Sequence, residues 1–101
     1  MRLIESRFLE DCFDGTIMRE VTLDEDISEP FVLYLGDFGE LQYFPQFPRP
    51  FFIMEEPGKY ILKGSTGKPT ARIILSKSGQ EENLAGFIKR CEYYKQERSG
   101  I

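Results

Sequence analysis

The sequence predicts an α+β fold: a mainly antiparallel curved sheet or half-barrel of about six short strands, with one C-terminal amphipathic helix packed on it. Three observations lead there. Leu84, Phe87, Ile88, Cys91 and Tyr94 recur at helical spacing, with Glu82, Lys89, Glu92 and Gln96 on the other side. Upstream of them, short apolar and β-branched runs are punctuated by turn formers such as Asp14-Gly15, Pro57-Gly58 and the cluster from Gly64 to Pro69. The chain has 101 residues, 41% of them apolar, with nine Phe and five Tyr. That is enough aromatic surface for one core and too little chain for two, so residues 1–101 are read as a single domain.

Each element has its own justification. Ile4, Phe8, Leu9, Cys12 and Phe13 fit a helix only in part, because Glu5 falls on the apolar arc and no cap precedes it; a strand is favoured. Ile17, Arg19, Val21 and Leu23 alternate with Met18, Glu20 and Thr22 as a second strand after the Asp14-Gly15 turn. Asp24 to Pro30 reads as an acidic loop. Phe31 to Leu35 is apolar on both parities, the pattern of a strand covered on both faces, and Gly36 to Gly39 would turn it into a partner strand from Glu40 to Phe44. Phe51 to Glu55 is a further short strand. Lys59 to Lys63 and Thr70 to Lys77 form a hairpin around the Gly64–Pro69 turn. For the terminal helix, Ser78 and Glu81 have capping-box spacing. Glu81 and Glu82 suit its positive end, Lys95 and Arg98 its negative end, and Gly100 stops it.

Function is narrowed mainly by exclusion. The chain has no histidine, which removes the commonest general base and metal ligand. Gly64 to Lys68 has two residues between its glycines and is followed by Pro69 and a strand, unlike a phosphate-binding loop. Asp37-Phe38-Gly39 matches a kinase tripeptide by letters alone. Counted from Asp24, the sixth and twelfth positions are Glu29 and Leu35, which rules out an EF-hand loop. Cys91 lies on the apolar stripe of the helix, and Cys12 is flanked by Asp11 and Asp14, which oppose a thiolate. No catalytic residue, cofactor or metal site is therefore assigned, and the expectation is a protein that is not an enzyme.

Charge and location readings point the same way. A net charge of −4 and a pI near 4.9 disfavour a nucleic-acid partner. No apolar run is long enough to span a bilayer and the N-terminus is too charged for a signal peptide, so the expected location is cytoplasmic, with both cysteines reduced and no membrane partner. Two segments remain as candidate binding surfaces. Tyr43 to Met54 carries Pro45, Pro48 and Pro50 among its aromatics. Those prolines hold Phe44, Phe47 and Phe51 on or beside a stiff connection, where the rings either close over the end of the sheet or contact a protein partner or a second copy. An aromatic–proline bond there is also a candidate cis bond. Residues 1–58 carry thirteen acids against four bases, whereas 59–77 carry five bases and no acid. Lys59, Lys63, Lys68 and Arg72 therefore form the alternative, a surface for an anionic, phosphorylated ligand. The favoured function is a non-enzymatic interaction or accessory domain.

Overall fold

The computed structural model describes residues 1–12 and 14–99, with side chains as far as Tyr94. The elements run β1 (Leu3–Asp11), β2 (Thr16–Leu23), α1 (Glu29–Gly36), β3 (Glu40–Phe44), β4 (Phe51–Glu56), β5 (Tyr60–Ser65), β6 (Thr70–Ser76) and α2 (Gln80–Ser99). The six strands form one antiparallel, open sheet in the order β1-β2-β6-β5-β4-β3. The chain makes the β1–β2 hairpin, crosses to the far edge through α1, then returns strand by strand until β6 pairs with β2. The expected α+β class, the antiparallel sheet and the C-terminal helix are all present.

One expected strand is a helix. Phe31 to Leu35 lies within α1, because the residues before it form an N-terminal cap: the Ser28 hydroxyl accepts from Phe31 N–H at 3.3 Å, Glu29 occupies the first turn, and Pro30 sits where its missing N–H costs nothing. The apolar run was ambiguous by period alone. Phe31, Val32 and Leu35 are buried on one side of the helix while Leu33 is 52% exposed. Glu29 and Pro30 consequently belong to the helix rather than to the acidic loop. At the other helix, Ser78 does not cap. Its hydroxyl bonds Ser76 at 3.0 Å, and the Gly79 carbonyl accepts the Asn83 N–H one residue later. Gly100 and the side chains of Lys95 and Arg98, on which the other signals rest, lie outside the described part of the chain.

Both helices pack on the same side of the sheet. There Ile17, Val21, Leu23, Phe52, Leu62, Ile73 and Leu75, each at most 3% exposed, join Phe31, Val32 and Leu35 of α1 and Phe87 and Cys91 of α2 in one core. Tyr94 meets Phe31 edge-on at 5.1 Å, and the Tyr34 hydroxyl donates to the Arg90 carbonyl at 2.9 Å, which holds α1 to α2. Gly64 belongs to this face because nothing larger fits: a Cβ there would lie 3.1 Å from the Phe52 ring and 3.2 Å from Ala71 Cβ. The ring of Phe52 covers the space that a side chain would fill.

Candidate functional site on the uncovered sheet face

Strand alternation sends every second residue to the side that no helix covers. Cross-strand register places three rows there. The first runs Glu40, Glu55, Ile61, Ile74, Met18; the second Gln42, Ile53, Lys63, Arg72, Glu20, Arg7; the third Phe44, Phe51, Ser65 and, beyond the β5–β6 turn, Thr70 and Thr22. An antiparallel sheet that faces water on one side normally shows polar residues outward. Here Met18, Ile53, Ile61 and Ile74 stand in that layer, all half-buried only by their neighbours.

The three phenylalanines singled out by sequence gather at one corner of this face. Phe44 ends β3, Phe51 opens β4, and Phe47 rises from the connection between them. Ring centroids lie 4.7 Å apart for Phe44–Phe51, 5.6 Å for Phe47–Phe51 and 5.9 Å for Phe44–Phe47. Phe47 is 45% exposed. The rings therefore cap no part of the helix-side core; they cover each other and leave a face to solvent. No cis peptide bond occurs among the described residues, so Pro45, Pro48 and Pro50 are trans.

The basic segment divides in two. Lys59 sits in the β4–β5 turn and pairs with Glu56 at 3.3 Å, and Lys77 pairs with Asp11 at 3.2 Å. Lys63, Lys68 and Arg72 instead line one groove of about 500 Å³, together with Phe51, Ser65 and Glu20. Among the described residues none of these three bases has an ion pair; Glu20, beside Arg72, bonds Arg7 at 3.0 Å. Thus the structure brings three of the four grouped bases together, next to the aromatic corner, and leaves Lys59 elsewhere.

A polar cluster on the helix side escaped the sequence reading. Glu56, 9% exposed, accepts from Arg90 at 3.1 Å, and the Arg90 guanidinium lies 3.7 Å over the Phe38 ring. Burial, and then the Glu56 charge, push the neighbouring Tyr60 phenol above its ordinary range. Among the described residues, Glu56 Oε2 and the Tyr60 hydroxyl are buried with no partner at hydrogen-bonding distance, beside a hollow of about 230 Å³. Its charges, Glu56 and Glu82 against Lys59 and Arg90, cancel, and its ties run between the β4–β5 turn and α2, so its evident work is to hold that turn against the helix. Only the fold brings residues 56 and 90 together, and it extends β4 one residue past the expected strand to include Glu56, facing inward.

Among the described residues no group of three His, Cys, Asp or Glu side chains is placed to hold a metal ion, and no helix is long and apolar enough to cross a membrane. No protein-family model, curated protein or solved structure matches the chain.

Proposed function

We propose that the protein is a non-enzymatic interaction module that docks through the uncovered face of its sheet, with Phe44, Phe47 and Phe51 as apolar anchors. One observation carries this reading: aliphatic and aromatic side chains occupy the solvent-side layer of the central strands, where a sheet with no further partner places polar ones. Rings that pack together on a proline-stiffened connection lose little freedom on binding, which suits them as anchors. The two cysteines are unpaired, in keeping with a reducing compartment.

Phe47→Glu and Ile53→Glu test the proposal. Both are expected to abolish partner capture while the melting temperature stays close to that of the wild type; unchanged capture with both variants overturns it. A second reading has its own support, because Lys63, Lys68 and Arg72 line one groove with no ion pair among the described residues and could take a phosphorylated ligand. In that case phosphate binding falls steeply with salt, and a flat salt response removes it. Nucleic acid is less well served. The three Phe rings stack on one another rather than standing apart for successive bases, and the chain is acidic overall.

A further inference from the structure

The occupant of this face follows from the order of its side chains. Stepping one strand across and two residues along, Phe44 leads to Ile53 and Ile53 to Ile61, so these three form an apolar diagonal. On one side of it stand Glu40 and Glu55, which are direct cross-strand partners; on the other stand Lys63 and Arg72, also direct partners. Like charges placed opposite each other disfavour the isolated sheet. All four are exposed, and none has an ion pair among the described residues.

We infer that the face is completed by a second copy of this chain, related by a two-fold axis that runs along the Phe44–Ile53–Ile61 diagonal. This rests on the docking reading above and names its partner. Strand spacing of about 4.8 Å and a two-residue rise of about 6.7 Å set the positions of the four charges relative to that axis. Rotation about the axis lays Glu55 over Lys63 of the second copy and Glu40 over its Arg72, and the reverse pairs form by symmetry. Each like-charge pair then meets its complement, while Phe44, Ile53 and Ile61 meet their own counterparts along the axis. The same spacings put the diagonal about 35° from the strands, so the strands of the two copies cross at about 70°, nearer the orthogonal class of sheet packing than the aligned one. Twisted sheets stacked that way approach most closely along one diagonal, which here is the apolar one.

The test is a charge exchange read by light scattering and sedimentation. Wild type is expected to run as a dimer. The pair Lys63→Glu with Arg72→Glu makes all four charges beside the diagonal acidic, and the pair Glu40→Lys with Glu55→Lys makes all four basic. Either protein alone is expected to dissociate, with a dimer constant weakened at least about a hundredfold. Mixed in equal amounts they are expected to restore the dimer, because every contact is again complementary. Circular dichroism melts, run below the dimer constant so that loss of the second copy does not itself shift them, check that both variants fold; all four sites are exposed, so little change is expected. A wild-type chain that stays monomeric up to millimolar concentration, or a dimer that survives both exchanges, overturns the two-fold. Ile53→Glu separates that failure from failure of the docking reading. If wild type is monomeric but loses a captured unrelated protein with Ile53→Glu, the second copy is wrong and the face is kept. If Ile53→Glu alters neither mass nor capture, both fall.

Discussion

The two faces of the sheet use the same kinds of residue to different ends. Neighbours in sequence fall on opposite sides: Phe52 against Phe51, Met54 against Ile53, Leu62 against Ile61, Ile73 against Ile74. Inward members are at most 1% exposed under α1 and α2; outward members have no second layer over them. Strands that are apolar on both parities are the signature of a sheet covered on both faces. Among the described residues, helices cover only one. The difference is the ground for the proposal above, in which the uncovered face is a contact surface and the charges flanking the apolar diagonal set its specificity.

The largest expected effect that would sharpen this contrast is in Phe52→Ala, which opens a cavity over Gly64 and should cost about 3–5 kcal/mol. Phe51→Ala, one residue away on the other face, should cost under about 1 kcal/mol in dilute monomer. Urea unfolding of the two side by side measures the ratio, and comparable losses would show that the outer face is core as well. Gly64→Ala tests the same packing from beneath. The added methyl presses on the Phe52 ring and Ala71, for a loss of about 1–3 kcal/mol by denaturant midpoint.

A chemical probe of the covered side comes from its thiol. Burial pushes the Cys91 thiol up to about 12 from a usual value near 9. The unfolded chain therefore releases this proton at lower pH than the folded one, and stability should fall as pH rises from about 9 to about 12. Tyr60, also raised by burial, adds to the same alkaline loss. At neutral pH a thiol reagent should label half-buried Cys12 first and Cys91 only at the rate of unfolding; equal rates would mean that the helix side is open. Smaller again is Ser28→Ala, which removes the cap of α1 for about 1 kcal/mol, read by thermal melting. The smallest is Phe47→Glu, which should move the melting temperature by no more than about 3 °C. A larger drop would reassign the ring to the core.

Much of this fold was legible in the sequence. β2, the β5–β6 hairpin and α2 each carry a clear period or a clear turn, and local signals suffice for elements of that kind; β1 carries no clear period, and the strand is favoured there only because Glu5 breaks the apolar arc of a helix and no cap precedes it. The run from Phe31 to Leu35 was misread because five apolar residues satisfy either period. The deciding signal lay outside it, in Ser28, Glu29 and Pro30. Of the candidate surfaces, Phe44, Phe47 and Phe51 stand out because Pro45, Pro48 and Pro50 interrupt the chain among them, although only Phe47 lies off the strands. The division of the basic segment was not visible. Lys59 and Lys77 are neutralised by acids whose proximity depends on a turn and on the β1–β2–β6 register, while Lys63 and Arg72 have no ion pair among the described residues, Glu20 beside Arg72 being bonded to Arg7.

By itself, then, the sequence determined the class of fold, most of the strands and the final helix, and which residues of those strands share a face, because strand alternation and helical period are local properties of the backbone. Only the tertiary structure decided which face the helices cover, and with it whether Ile53 and Ile61 or Met54 and Leu62 remain in contact with water. That choice depends on α1 carrying the chain from β2 to the far edge and on β6 returning to β2. These are contacts between segments tens of residues apart, which no local period encodes.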